Sequence, residues 1–110
     1  MLVKVRWENE TSILMLSGRF DKSARVPVET ALAEGEDRPW RQVVMDFSRV
    51  SSIDSAGIGK LFLLYHLLRK KGVALRVVNP KPSVENLLHL VSLATIIPIT
   101  QENHEVRSVA

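Results

Sequence analysis

The chain has 110 residues, of which 45% are hydrophobic and 25% charged, and this is the composition of one ordinary globular domain. It has no cysteine, which excludes disulfide frameworks, thiolate zinc sites and cysteine nucleophiles. The formal net charge is +3, but the basic residues are scattered, and their largest run, residues 69–71, falls at a predicted helix end where cations complement the helix dipole. We therefore expect no nucleic-acid partner.

We predict a single domain over residues 1–110, with a core over about residues 3–100 and a C-terminal extension over residues 101–110. No apolar run reaches the roughly 18 residues of a membrane span, and the first residues lack a signal-peptide pattern. His66, His89 and His104 are too far apart to form a metal motif. We expect a cytoplasmic protein without membrane association, metal or cofactor.

The first part of the chain predicts a hairpin and then a helix. Residues 3–7 and 12–16 are rich in apolar and β-branched side chains and are separated by a polar turn, and Gly18 is expected to end the second strand. A helical periodicity follows around Pro27. Because proline fits only the first turn of a helix, this helix should begin two or three residues before Pro27 or be kinked there.

The most informative stretch is a junction between a strand and a helix. Residues 42–47 suit a central strand buried on both faces, a polar loop is expected after them, and a helix is predicted from about Ser55 to Lys71. Gly72 is a natural C-cap, and residues 73–78 form another strand. Strand, helix and strand at this spacing predict a parallel βαβ unit.

The last part of the chain predicts a third helix and a short strand. Pro82 fits the start of this helix. Its predicted inner face comprises Val84, Leu87, Leu88 and Val91. Residues 96–99 can add a final strand, which should lie at the sheet edge because Pro98 cannot donate a hydrogen bond.

The long helix carries apolar residues on two sides. The side predicted to face the sheet comprises Ile58, Leu61, Phe62, Tyr65 and Leu68, with Leu64 at its border. Leu63 and Leu67 fall nearly opposite, beside Gly59. Two exposed leucines near a bare glycine suggest a docking strip for a partner. The alternatives are that the first helix or the C-terminal tail covers them, or that they are scattered surface residues.

Ser55 is a hydroxyl at or near a helix N-terminus, a position that tolerates a carboxylate or a phosphate. Residues 57–60 do not complete a phosphate-binding P-loop, because Asp54 stands at its first glycine and Leu61 at its Ser/Thr. A serine hydrolase is disfavoured because His66 lies about 16 Å along the same helix and no nucleophile elbow surrounds Ser55. The two other histidines remain open as a base.

These exclusions leave Ser55 as a helix cap, as a modification target, or as both. Asp54 and Ser52 are cap-type residues in the same stretch. Ala56, Gly57 and Gly59 leave the approach to the hydroxyl open. Since glycine lowers helix stability, its presence suggests that another molecule comes close to the backbone.

Several segments of the sequence resemble the STAS domain of bacterial anti-sigma factor antagonists. The resemblance covers roughly residues 3–100 and is carried by Gly18-Arg19-Phe20-Asp21, Val43-Val44-Met45-Asp46-Phe47, Ile53-Asp54-Ser55-Ala56-Gly57-Ile58-Gly59, Gly72 and Asn79-Pro80-Lys81-Pro82-Ser83-Val84. It implies a single STAS-like α/β domain. Its mixed four- to five-stranded sheet should combine an N-terminal hairpin with parallel βαβ strands, with the helices packed mainly on one face.

The resemblance also implies a regulator without catalysis of its own. In that family the serine directly after the aspartate is phosphorylated by a partner that is both a serine kinase and an anti-sigma factor, and a metal-dependent serine phosphatase removes the phosphate. On this sequence the acceptor is Ser55, beside Asp54. Ala56 stands where family members often have a second hydroxyl residue, which leaves Ser55 as the sole acceptor in the motif. The unphosphorylated protein would bind the kinase and release its client.

Around Ser55 we predict a switch neighbourhood of Asp54, Ala56, Gly57 and Gly59. The predicted partner-binding residues are Asp21, Ser52, Ile58, Lys60, Leu63 and Leu67. We expect a monomer or a weak dimer. Two other functions stay open: a non-switching STAS scaffold or subunit, as in a stressosome-like assembly or a lipid-transport complex, and an independent serine hydrolase.

Overall fold

The computed structural model describes residues 1–102, which form five strands and three α-helices. In chain order these are β1 (Leu2–Glu8), β2 (Thr11–Phe20), α1 (Arg25–Ala33), β3 (Gln42–Ile53), α2 (Ser55–Lys70), β4 (Ala74–Val78), α3 (Pro82–Leu90) and β5 (Ile99–Thr100). His104 and most of the predicted C-terminal extension lie outside the described residues.

The strands form one mixed sheet whose spatial order is the chain order. β1 and β2 pair antiparallel as the predicted hairpin, and β2 to β5 pair parallel. Each α-helix connects two neighbouring parallel strands, because such strands need a crossover connection. The predicted α/β class is confirmed, with five strands in the sheet.

The helices build a single apolar core on one face of the sheet, which we call the helix face. Buried side chains of all three helices cluster with alternate residues of the strands. At the centre, Leu14, Met45 and Val77 lie side by side on three strands and are fully buried. Burial of side chains of this size contributes about 2 kcal/mol each. Strand residues of the opposite parity form the second face, so the helices pack on one face as predicted.

The predicted end of β2 at Gly18 is wrong, because the strand continues to Phe20. Gly18 has a φ of 107°, which glycine adopts without strain, and the pairing register with β3 shifts next to it. This irregularity bends the strand and lets pairing resume beyond it, so the glycine does not stop the strand.

The predicted end of β3 at Phe47 and the expected polar loop after it are also wrong. β3 runs to Ile53, and Ser51 and Ser52 are strand residues. β4 pairs with β3 only over residues 42–46. The second half of β3 is therefore paired with β2 on one side and extends beyond β4 on the other. Because this half is not a central strand, its polar side chains can face solvent.

The predicted helix boundaries fit closely. α1 begins at Arg25, two residues before Pro27. α2 ends at Lys70, and Gly72 follows with a φ of 74°. The final strand lies at the sheet edge beside β4 as predicted, but its predicted bounds of residues 96–99 are wrong, because β5 comprises Ile99–Thr100, directly after Pro98.

Two apolar side chains that were predicted to lie on the inner faces of their helices, Phe62 and Val91, are exposed. Phe62 is 47% exposed, because the buried side of α2 is centred on Leu61, Leu64 and Leu68 and Phe62 is rotated out of it. Val91 is 43% exposed, because it caps α3 and no longer follows the helical periodicity.

Candidate functional site at the start of the second helix

α2 begins directly after β3, with Asp54 as the single residue between them. The Asp54 Oδ1 atom accepts a hydrogen bond of 2.9 Å from the backbone N–H of Gly57. This bond satisfies one of the free N–H groups of the first turn. Among the cap-type residues of this stretch, Asp54 is therefore the cap, and Ser55 is the first residue of the helix.

The Ser55 hydroxyl takes no part in the hydrogen bonding of the fold. Its residue is exposed, and its Oγ has no hydrogen-bond partner within residues 1–102. The helix N-terminus beside it carries a partial positive charge and free N–H groups, so an anionic group is tolerated there. Because Asp54 already caps α2, capping by Ser55 is excluded as the reason for this serine.

The two glycines of the first helical turns serve different purposes. A Cβ atom on Gly57 would lie 2.0 Å from the backbone oxygen of Phe20 and 2.9 Å from the Ile53 side chain. Only glycine therefore lets α2 approach β2 and β3 so closely. A Cβ atom on Gly59 would meet nothing within 4 Å. Since glycine in a helix costs about 1 kcal/mol relative to alanine, Gly59 weakens α2 without an internal benefit.

The exposed side of α2 is apolar next to Ser55. Phe62, Leu63 and Leu67 are 47%, 50% and 47% exposed. At 100° per residue they lie on the same side of the helix as Ser55 and Gly59, away from the core. We call these five residues the outer strip. Within residues 1–102, Leu63 and Leu67 are therefore exposed and are not covered by α1, whereas the alternative that the C-terminal tail covers them falls mostly outside the described residues.

The sequence prediction missed Phe62 as a member of the outer strip. Its ring lies against His66 on the exposed side of α2, with 4.6 Å between the ring centroids. The spacing of Leu61, Leu64 and Leu68 carries the signal that could have found it. Centring the inner side of the helix on these three residues turns Phe62 outward.

Two of the predicted partner-binding residues of α2 lie outside the outer strip. Ile58 is partly buried and packs against the core. The Lys60 side chain is 11% exposed, and its ammonium pairs with the Glu29 carboxylate of α1. The hydrogen bond from Lys60 is the main cause that lowers the pKa of Glu29, so the Glu29 carboxylate is ionised at neutral pH. Lys60 therefore ties α2 to α1 in this structure.

Asp21 and Ser52 lie at the same end of the sheet as Ser55. The Asp21 carboxylate accepts hydrogen bonds from the Ser23 hydroxyl at 2.5 Å and from the Ser23 N–H at 2.9 Å. These bonds lower the pKa of Asp21. Asp21 adjoins the first turn of α2, because the carbonyl of the preceding residue faces Gly57. Ser52 is exposed on β3, opposite Arg19 of β2.

The described residues offer no assembled metal site, and one candidate base lies far from Ser55. No group of three His, Cys, Asp or Glu side chains within residues 1–102 is placed to hold a metal ion. His66 is eleven positions after Ser55 on one continuous helix, about 16 Å away along the axis. In the same part of the chain, no helix has the length and apolar character needed to cross a membrane.

The fold and this junction together define a class of domain. The STAS domain family model matches residues 3–106, which is nearly the whole chain. The chain belongs to the STAS domain family. The resemblance in the sequence is thereby confirmed.

Particular relatives are regulators of sigma factors. The chain is 28% identical over 102 residues to the anti-sigma F factor antagonist of Paenibacillus polymyxa, covering 90% of this chain and 87% of the relative. Its fold is similar to that of the anti-sigma factor antagonist SpoIIAA in its unphosphorylated form, with a TM-score of 0.73, 22% identity and coverage of 96% and 92% of the two chains. SpoIIAA of Bacillus in its phosphorylated form has a TM-score of 0.64, with 20% identity over 99% of this chain and 100% of that one.

The similarity also extends to a transporter. Over 55 residues the chain is 38% identical to sulfate transporter 1.3 of Arabidopsis thaliana. This match covers 50% of the chain and 8% of the transporter. The STAS fold therefore occurs both as a separate regulator and as a small part of a larger protein.

Proposed function

We propose that this chain is an anti-sigma factor antagonist, a protein-binding module without catalysis of its own that is switched off by phosphorylation of Ser55. Unphosphorylated, it binds an anti-sigma factor that is also a serine kinase and so releases the client of that kinase. A metal-dependent serine phosphatase restores the binding form. The observation that carries the proposal is the Ser55 hydroxyl, which is exposed, has no structural role and stands at the head of an apolar strip.

The phosphate is compatible with the fold. It adds a charge of about −1.5 to −2. At the first residue of α2, the helix dipole and the free N–H groups of the first turn offset this charge. The hydroxyl has no hydrogen bond to lose within residues 1–102, so the folded structure survives the modification.

The same phosphate is incompatible with a bound partner. It stands beside the Asp54 carboxylate, and a partner surface that fits a neutral hydroxyl must desolvate both charges. A loss of about 1.4 kcal/mol already lowers affinity tenfold. The switch therefore operates through the surface and needs no rearrangement of the domain.

The outer strip supplies the contact that the phosphate interrupts. Leu63 and Phe62 offer apolar area, and Gly59 lets a partner approach the helix backbone between them and Ser55. Such a strip fits the apolar face of a partner helix or groove. The domain acts in the cytoplasm as a monomer or weak dimer, which leaves this side of α2 free for the kinase.

Phosphorylation tests the proposal directly. The purified protein is incubated with ATP and each candidate serine kinase from its own genome, and the phosphate is located by mass spectrometry. We expect it on Ser55. Ser51→Ala is the matched control, because Ser51 is an exposed hydroxyl four residues earlier that is outside the predicted contact residues, and its loss should leave phosphorylation unchanged.

Binding by two variants tests the switch itself. Ser55→Ala should bind the kinase at all times, and Ser55→Asp should bind at least tenfold more weakly, which corresponds to about 1.4 kcal/mol. Titration calorimetry measures both affinities. No phosphate on Ser55 with any kinase, or equal affinities for the two variants, would rule out the switch.

The transporter similarity favours a second candidate, a non-switching scaffold or subunit of a larger complex. In that case α2 docks permanently and Ser55 is not modified. Recovery of a stoichiometric membrane-transport complex with the tagged protein would support this candidate over the switch.

A further inference from the structure

Two arginines on the second face of the sheet stand out because neither forms an ion pair, hydrogen bond or ring contact within residues 1–102. Eight arginines lie within residues 1–102, and six of them form an ion pair, a hydrogen bond or a ring contact with another described residue: Arg6, Arg25, Arg38, Arg41, Arg69 and Arg76. The remaining two, Arg19 and Arg49, form none of these contacts in the described part of the chain, and both are exposed.

The sheet register places these two arginines together. Arg49 of β3 is opposite Ser17 of β2, and Arg19 is two residues further along β2, opposite Ser52. Adjacent strands lie about 4.8 Å apart. The pairing register shifts on both sides of Ser17 and Gly18, but Leu16 and Phe20 are both buried in the core, so Ser17 and Arg19 share the face away from the helices. The two guanidinium groups can therefore bind one extended anionic segment. We call Ser17, Arg19, Arg49 and Ser52 the basic patch.

The strand segments that carry the basic patch contain no acid, and the nearest acid on β3, Asp46, accepts a hydrogen bond from the Ser48 N–H. Residues 17–20 of β2 and 48–53 of β3 contain no Asp or Glu. The nearest carboxylate on β2's side, Asp21, is engaged with Ser23, although Arg19 contributes to lowering its pKa. Guanidinium groups flanked by serine hydroxyls have the donor chemistry that binds carboxylates.

We propose that the basic patch docks an acidic segment, rich in Asp or Glu, of the same protein partner whose binding Ser55 controls. This inference rests on the proposed function and adds the chemistry of the partner. The patch lies at the same end of the sheet as the proposed site, because Ser52 belongs to it and Ser55 follows three residues later, so a partner that contacts both reaches around the β3–α2 junction. Two cations without an exposed aromatic neighbour on these strand segments fit a short acidic peptide better than a nucleic acid, which needs more phosphate contacts or stacking.

The patch also gives the phosphate a second effect. Two arginines contribute a charge of about +2, and a phosphate on Ser55 contributes about −1.5 to −2. Phosphorylation therefore opposes the attraction of the two arginines for an acidic segment. Since complementary charge accelerates association, the phosphate slows the approach of an acidic partner as well as weakening the final contact.

A partner-independent experiment tests the chemistry. The ¹⁵N-labelled protein is titrated with hexaglutamate at low salt, and amide shifts are mapped. We expect the shifts to centre on the basic patch and to vanish in the Arg19→Gln/Arg49→Gln variant. The control variant Lys71→Gln/Lys81→Gln removes the same charge from two exposed lysines beside the ends of α2 and α3, away from the patch, and should respond like the unchanged protein.

Two results of the titration would overturn the inference. One is a set of shifts that centres away from the patch. The other is a stronger response of the patch to hexauridylate or to phosphatidylserine vesicles than to hexaglutamate, which would assign it to nucleic acid or to a membrane surface.

Association kinetics with the kinase complete the test. The arginine variant should associate roughly three- to tenfold more slowly at low salt, with a dissociation rate changed less than about twofold, and the lysine variant should not differ from the unchanged protein. Ser55→Asp should slow association less in the arginine variant than in the unchanged background. Equal association rates for the arginine and lysine variants would overturn the inference and leave the proposed function standing. Failure of the unchanged protein to bind any kinase would overturn both.

Discussion

The two ends of the sheet differ in whether their polar side chains find partners within the chain. At the end remote from Ser55, the Trp40 Nε1 donates to the Ser12 hydroxyl at 3.1 Å, and the Arg38 guanidinium lies 4.5 Å from the centroid of the Trp7 ring. At the other end, the Ser55 hydroxyl has no partner within residues 1–102. The remote end is thus closed by contacts within the chain.

This difference separates residues that stabilise the fold from residues that are available to another molecule. At the remote end, Trp7, Ser12, Arg38 and Trp40 contact one another, although the buried Trp7 Nε1 has no acceptor within residues 1–102, so substitutions there should change stability. Beside Ser55, the outer strip leaves a bare glycine and three apolar side chains exposed. Substitutions there should change binding. Gly57 is the exception at the Ser55 end: it is required for internal packing, so its substitution should change stability.

Among the substitutions considered, Gly57→Ala should have the largest effect, which is a loss of stability. Its Cβ would lie 2.0 Å from the Phe20 backbone oxygen, and backbone cannot move aside as a flexible side chain can. We expect the free energy of unfolding to fall by roughly 3 kcal/mol, at the upper end of overpacking effects. Urea denaturation followed by circular dichroism measures it. A variant as stable as the unchanged protein would disprove the close packing of α2 on β2.

Replacing both Leu63 and Leu67 with Asp should act on binding. We expect kinase affinity to fall at least tenfold, or about 1.4 kcal/mol, because two charges must be buried against an apolar partner. Stability should fall only by about 1 kcal/mol, from the lower helix propensity of aspartate. Calorimetry and thermal melting measure the two effects.

The matched control for this prediction is Leu90→Asp. Leu90 is a leucine on α3 that is 80% exposed, so the substitution adds charge to an apolar surface position outside the outer strip. It should leave kinase affinity unchanged. An equal loss of affinity in the control, or collapse of the fold in the double variant, would contradict the assignment of Leu63 and Leu67 to a contact surface.

Features set by local chemistry could be predicted from the sequence. The βαβ unit follows from the apolar run of β3, the cap-type residues around Asp54 and the C-terminal Gly72, each of which acts within a few residues. The position of β5 at the edge follows from Pro98 alone. The exposure of Leu63 and Leu67 needs only the helical period.

Features set by contacts between distant segments could not be predicted. β3 extends to Ile53 because β2 bends at Gly18 and keeps pairing with it, and neither strand reveals this alone. Residue 57 must be glycine because a Cβ atom there would clash with the backbone carbonyl of Phe20 on β2, a segment distant in the sequence. The Lys60 side chain is directed inward because its ammonium pairs with the Glu29 carboxylate of α1, and this contact is not visible in the sequence of α2.

Ser12→Ala tests the remote end, with an expected loss of about 1 kcal/mol in unfolding free energy. The substitution removes the acceptor of the Trp40 Nε1 hydrogen bond and leaves a small gap at a side chain that is 1% exposed. Denaturation measures the loss, and kinase affinity should not change. A weaker affinity with normal stability would mean that the two ends are coupled and that the comparison fails.

Gly59→Ala should have the smallest effect on stability and the opposite sign to Gly57→Ala. A methyl group at residue 59 meets no atom within 4 Å, and alanine is the better helix former. The free energy of unfolding should therefore rise by up to about 1 kcal/mol. If Gly59 exists to let a partner reach the helix backbone, the same methyl group should weaken kinase binding. A variant that is more stable and binds equally well would remove Gly59 from the contact surface, whereas a more stable and weaker-binding variant would show that α2 gives up stability for its partner.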